Sequence, residues 1–140
     1  LHTDISTRSG RRYARLSGPG DRVITVEISD GSEQVSVATQ DGHALCFSTG
    51  EVSVVKGAAK GVTGIKLGKA DRVLAFGLTD RSSEGVLVFT TSGREEIVRP
   101  AKFGASRAGR GRVVIRRGGF VRWQRSAVRF DLRYAAGDEE

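Results

Sequence analysis

Apolar and polar positions alternate with a period of two along much of the chain, and the alternation restarts at regular intervals. Ile24, Val26 and Ile28 interleave with Val23, Thr25 and Glu27, which predicts a half-buried strand. Val35, Val37 and Thr39 continue the pattern up to Asp41-Gly42, a tight-turn signal, and Ala44-Leu45-Cys46-Phe47 is expected to return as the second arm of a hairpin. Further along, Leu74-Phe76-Leu78, Val86-Val88, a turn at Ser92-Gly93 and Ile97-Val98 follow the same order. Shorter strands are expected at Thr63–Leu67 and Val113–Arg117, and a last one where Val128, Phe130 and Leu132 alternate with Arg129, Asp131 and Arg133. No useful stretch carries a helical period, and 19 glycines punctuate the chain. The fold class is therefore all-β.

The order is a repeat. Asp21-Arg22-Val23-Ile24 matches Asp71-Arg72-Val73-Leu74, fifty residues on. Val26, Ile28 and Asp30 then match Phe76, Leu78 and Asp80. After one inserted residue, Val35, Val37, Thr39 and Gly42 match Val86, Val88, Thr90 and Gly93. The copies return to step at Lys60-Gly61 and Arg110-Gly111, then at Ile65-Lys66 and Ile115-Arg116. Two units thus run over 21–70 and 71–120, with partial units at both ends: Thr7–Arg11 resembles Thr90–Arg94. About four short strands per unit is the density of a propeller blade. The whole of 1–140 is expected to be a single repeat domain or fragment, since 140 residues at 15.0 kDa suffice for one core.

Charge changes the picture more than composition does. The chain carries 23 Lys and Arg against 16 Asp and Glu. From Arg99 to Arg129 there are ten basic residues and no acid, leaving 13 basic and 16 acidic residues elsewhere. A strongly basic stretch on a slightly acidic body points to a polyanion, nucleic acid first and an anionic membrane second. A solvated basic face with no ligand is the plain alternative. Against it, basic residues recur at matched places: Lys60 with Arg110, and Lys66 with Arg116. If Ile65 and Ile115 point inward on strands, Lys66 and Arg116 point outward, with Arg112 on the same face as Arg116.

Composition excludes several classes. No apolar run approaches the about twenty residues of a membrane span. No signal-peptide pattern opens the sequence, one cysteine forms no internal disulfide, and two histidines with it are too few for a structural zinc site. The absence of methionine, even at position 1, is what a segment of something longer would show.

Lys56-Gly57-Ala58-Ala59-Lys60-Gly61-Val62-Thr63-Gly64-Ile65-Lys66-Leu67, followed by Asp71-Arg72-Val73-Leu74, resembles a blade of the C-terminal domain of the bacterial gyrase and topoisomerase IV A subunits. Thr91-Ser92-Gly93-Arg94-Glu95-Glu96-Ile97-Val98-Arg99-Pro100 is similar to the strand and turn of the next blade. Arg107-Ala108-Gly109-Arg110-Gly111 resembles a degenerate gyrase box, QRRGGKG, with Ala105 in place of the leading glutamine and Ala108 in place of a glycine. The resemblance covers about 21–120 and implies a β-pinwheel, a propeller-like disc whose neighbouring blades exchange strands. It also implies a basic rim that bends or wraps duplex DNA for a type IIA topoisomerase core and its ATPase subunit. The altered box favours a topoisomerase IV-like or divergent form over strong gyrase-type wrapping.

On that resemblance the DNA-binding candidates are Lys56, Lys60, Lys66, Arg99, Lys102, Arg107, Arg110, Arg112, Arg116 and Arg117, acting as phosphate contacts. No catalytic residue, metal or cofactor is expected in this domain; ATP and magnesium would belong to the parent enzyme, and a cytoplasmic, nucleoid-associated location would follow. Other motifs carry plainer readings. Arg12-Tyr13 and Arg133-Tyr134 have the arginine-tyrosine order of the family's nucleophile, but neither has its flanking sequence. Gly57, Gly61 and Gly64 lack the Gly-Lys-Ser/Thr ending of a phosphate loop. His43 is expected in a turn, Cys46 as a small buried side chain, and Trp123 as a core cap. The acidic end Gly137–Glu140 is a loose end, or a weak competitor for the rim. A stand-alone module binding RNA or an acidic protein is the alternative function.

Overall fold

The computed structural model describes residues 12–82 and 84–125. The expected strand at 128–133, the acidic end, Thr7–Arg11 and Tyr134 lie outside the described residues. Within them, seven strands form two antiparallel sheets: β1 (Gln34–Thr39), β2 (His43–Ser48), β3 (Val73–Thr79), β4 (Val86–Thr90), β5 (Glu95–Val98), β6 (Arg112–Val113) and β7 (Phe120–Arg125). A 3₁₀ turn at Thr49–Glu51 and a one-turn helix α1 (Pro100–Phe103) complete the elements.

The first sheet has the order β3-β1-β2-β6, and the second β5-β4-β7. The β1–β2 hairpin belongs to the first repeat unit, whereas β3 and β6 come from the second. Likewise β7, which begins where the second unit ends, completes the β4–β5 hairpin. Each blade therefore borrows its outer strand from the chain that follows its own unit, as the pinwheel resemblance implies.

The repeat survives in backbone detail. The outer strand breaks register between Ala38 and Thr39 in one sheet, and between Phe89 and Thr90 in the other. The Thr39 hydroxyl accepts from the His43 N–H at 3.2 Å, and the Thr90 hydroxyl from the Arg94 N–H at 3.0 Å. Turn glycines Gly42 and Gly93 take φ of 88° and 82°, where only glycine is unstrained. The next strand is pinned alike in both copies: Gln40 N–H donates to Arg72 O, and Thr91 N–H to Gly119 O.

The two sheets share one core. The first contributes small residues, Ala38, Ala44, Cys46 and Ala75, and the second larger ones, Val86, Val88, Val98 and Phe120, with Phe103 of α1 between them. Small against large lets the sheets approach closely: a Cβ on Gly77 of β3 would stand 2.7 Å from Val86 Cγ2. The opposite face of the first sheet buries Val35, Val37, Leu45 and Phe47 with Ile65. Both faces of β1 are thus buried, not one. Cys46 is fully buried beside the Ser36 hydroxyl, and burial pushes its thiol up to about 11. Trp123 packs half-buried against the shared core, as a cap would.

Three expected strands differ. Val23–Ile28 forms none, and Val26 and Ile28 are 83% and 96% exposed. Its counterpart β3 pairs with the hairpin of the preceding unit, and among the described residues no hairpin precedes 21–30. Without a ladder the alternation does not bury its apolar side: Thr25 and Glu27 are the half-buried positions, while Val26 and Ile28 are exposed. Thr63–Leu67 is not a strand, and of Val113–Arg117 only Val113 lies in one, alongside Arg112 in β6. Gly61 and Gly111 turn the chain with φ of 78° and 74° just before, and bends follow from Val114 to Gly118. Ile65 is still buried and Lys66 exposed, but loop hydrogen bonds orient them, so the shared strand face expected for Arg112 and Arg116 does not exist.

Candidate nucleic-acid interface

The basic residues are carried on the connections between hairpins, and two of these connections lie side by side. Ala108 N–H donates to Gly64 O and Lys66 N–H to Gly109 O, both at 2.8 Å. Lys66 and Arg110 are thereby held on adjacent loops. Gly111 follows with its backbone against β2: a Cβ there would meet Ala44 O at 2.5 Å. The chain then enters β6, whose Arg112 pairs with Ala44 and whose Val113 pairs with His43. One Arg112 Nη donates to Lys102 O at 3.2 Å, so the strip continues onto α1. Phe103 anchors that helix in the core, leaving Arg99 and Lys102 exposed. Beyond β6, Val114 N–H donates to Gly42 O, and Ile115 packs on Gly42. Arg116 and Arg117 consequently flank the β1–β2 turn.

The ten candidates fall into distinct groups. Lys56, Lys60, Lys66, Arg99, Arg110, Arg116 and Arg117 are exposed and make no ion pair among the described residues. Lys102 is paired with Glu96 and lies 5.3 Å from the Phe103 ring centre. Arg112 is exposed but engaged with Lys102 O. Arg107 is half-buried, its Nε donating to Glu51 O at 2.9 Å and a Nη to Thr63 O at 2.7 Å. Lys56 and Lys60 sit on the earlier connection, next to Ala59, whose carbonyl accepts from Arg15 N–H.

Other exposed cations escape a search for acid-free runs. Arg72 stands beside Asp71 in sequence, a pairing that looks neutral. Asp71 is only 8% exposed, however, and its carboxylate accepts the Asp41 and Arg72 N–H groups at 2.9 and 2.8 Å. Its charge is turned into the fold, which leaves the Arg72 side chain exposed. Arg22 and Lys69 are exposed as well. Arg122 of β7 lies 3.9 Å over the Phe89 ring of β4, a cation–π contact across the strand pair. His43 opens β2 with its Nδ1 4.0 Å from Asp71 Oδ2. Tyr13 is 58% exposed on a segment of no regular structure.

The fold has parallels among known proteins. The crystal structure of the C-terminal domain of DNA topoisomerase IV superposes with a TM-score of 0.72 at 28% identity, over 81% of this chain and 37% of that one. The chain is 33% identical over 121 residues to the A subunit of DNA topoisomerase 4 from Bacillus subtilis (strain 168), a match to 81% of this chain and 15% of that protein. It belongs with the C-terminal domains of the gyrase and topoisomerase IV A subunits. Gyrase A subunits match too, at 38% identity over 77 residues in Haloquadratum walsbyi and 28% over 98 residues in Escherichia coli (strain K12). These matches span 9% and 11% of the gyrase proteins, against 54% and 69% of this chain. No family model matches the sequence. Among the described residues no helix is long and apolar enough to cross a membrane.

The segment Arg107–Gly111, which resembles a degenerate box, is the loop that packs on Gly64 and Lys66. Its Ala108, standing for a glycine, has φ of 66° and is the non-glycine residue with positive φ among those described. The left-handed region costs an L-residue about 1–2 kcal/mol, partly offset by the entropy a glycine would lose. Ala108→Gly is therefore expected to stabilise the domain by about 0.5–1 kcal/mol. Urea unfolding measures this, and a lower midpoint would show that the loop does not hold this conformation.

Proposed function

We propose that this domain binds duplex DNA through its phosphates and bends it along the connections between hairpins. The observation that carries the reading is the joining of Lys66 and Arg110 on adjacent loops, continued by Arg112 of β6 and by Arg99 at the start of α1. Arg116 and Arg117 extend it at the β1–β2 turn, and Lys56 and Lys60 occupy the preceding, conformationally matched connection. Left-handed glycines at 61 and 111 give Lys60 and Arg110 equivalent places in successive units. Exposed ammonium and guanidinium groups without carboxylate partners neutralise phosphates and release condensed counterions, a gain independent of base sequence. Any sequence preference then follows the deformability of the duplex.

In this reading the domain is non-catalytic. It delivers bent DNA to a type IIA topoisomerase core and its ATPase subunit, which supply strand passage with ATP and magnesium in the cytoplasm, at the nucleoid. The test is a fluorescence titration of duplex DNA across salt. With about five phosphate contacts, log K should fall against log salt with a slope of about −4 to −5, a loss of about 250- to 1000-fold between 50 and 200 mM. A slope near zero would overturn the reading.

A further inference from the structure

Arg107 differs from the other nine candidates in where its donors are spent. Its Nε donates to Glu51 O, at the end of the 3₁₀ turn that follows β2, and a Nη donates to Thr63 O, twelve residues further along. Its own N–H donates to Glu51 Oε1 at 3.1 Å. All three partners belong to the first repeat unit, whereas Arg107 belongs to the second. Directly after Thr63 and Arg107 in each strand of chain come the two backbone bonds that join the connections, Ala108 to Gly64 and Lys66 to Gly109.

We propose that Arg107 is a positioning residue, a clamp between the two repeat units that sets Lys66 and Arg110 side by side for phosphate, and is not itself a phosphate contact. The inference rests on the DNA-binding reading for its function but not for its geometry. A phosphate approaching this guanidinium would have to displace two carbonyl oxygens that have no other partner among the described residues. The task also needs arginine. A planar fork bonds two acceptors in different directions at once, and a lysine ammonium on a flexible stem holds one of them without fixing the other. Charge alone would not replace it, whereas charge alone suffices at Arg110, whose side chain bonds no acceptor among the described residues.

Arg107→Lys and Arg110→Lys therefore separate the two roles, with Arg107→Ala and Arg110→Ala as references. In the first measurement, amide hydrogen exchange is followed at Lys66 and Ala108 in the DNA-free chain. Arg107→Lys and Arg107→Ala should each speed exchange there by about tenfold or more, while both Arg110 variants leave it unchanged. In the second, duplex binding is titrated across salt. Arg110→Ala should reduce the slope by about 0.9, with Arg110→Lys restoring it. Arg107→Lys should weaken binding as much as Arg107→Ala, and reduce the slope by more than one contact, because Lys66 and Arg110 lose their placement together. Unchanged amide exchange in Arg107→Lys, or wild-type binding by that variant, would overturn the clamp. If the unaltered chain binds no duplex at all, the DNA-binding reading falls, and the exchange measurement still decides the clamp.

Discussion

Replacing Gly111 with alanine is expected to remove about 2–5 kcal/mol of stability, a large share of the about 5–15 kcal/mol of an ordinary domain. Two costs add at this position. With φ of 74° any L-side chain pays about 1–2 kcal/mol. The new methyl would also stand 2.5 Å from Ala44 O and 2.9 Å from its carbonyl carbon, atoms of a fully buried stretch of β2 that has no room to yield. Overpacking of this kind costs about 1–3 kcal/mol more. Gly57 provides the control. Its φ is 77°, but nothing lies within 4 Å of an added Cβ, so Gly57→Ala should cost about 1–2 kcal/mol and no more. Urea unfolding reads both, with the buried Cys46 thiol as a second probe that a thiol reagent reaches only on opening. Equal midpoints for the two variants would show that Gly111 is not seated on β2. The position also links fold to function, because Gly111 lies between Arg110 and Arg112 and fixes how the basic loop meets the sheet.

The all-β class, the two hairpins and their turns were legible because period-two alternation and Asp-Gly or Ser-Gly turns are local signals. The repeat was legible because matched residues recur about fifty positions apart, and the structure gives them matched bulges and hydroxyl bonds. Burial of both faces of β1 was not legible. Ser36 and Ala38 look like the wet side of a half-buried strand, and only the second sheet, packing on small residues, makes them core. Val23–Ile28 shows the converse. Its pattern is that of β3, but a strand is completed by its partner, and local sequence does not say whether a preceding hairpin is in place. At the interface, counting cations located the basic connections but could not distinguish Arg107, whose donors face the chain, from Arg110, whose donors face outward. It also passed over Arg72, because the neighbouring Asp71 looks like a counter-charge until its buried bonds to Asp41 and Arg72 N–H are seen.

Duplex length should control affinity more strongly than duplex sequence. If the basic residues on successive connections meet phosphates as proposed, a short duplex touches one group and a longer one reaches the next by bending. Smooth bending of a 20–30 base-pair site costs on the order of 1–6 kcal/mol. Each added phosphate contact contributes about 8-fold at 0.1 M salt relative to 1 M. Two or three contacts therefore exceed a bend at the lower end of that range, about 1 kcal/mol, by about 10- to 100-fold. A longer duplex also offers more positions, but that statistical gain is only a few-fold over the same range. Affinity should therefore climb by about 10- to 100-fold beyond it between about 15 and 40 base pairs, then level off once the connections are filled. Lys66→Ala combined with Arg110→Ala removes the junction between the two connections. The pair should flatten the length dependence more than it weakens a short duplex, whereas a structureless basic patch would lose affinity equally at every length. Energy transfer between dyes at the duplex ends reports the bend directly. A wild-type complex that holds long DNA straight, with affinity rising only in proportion to the number of positions, would make this domain a tether for DNA and not a bending surface.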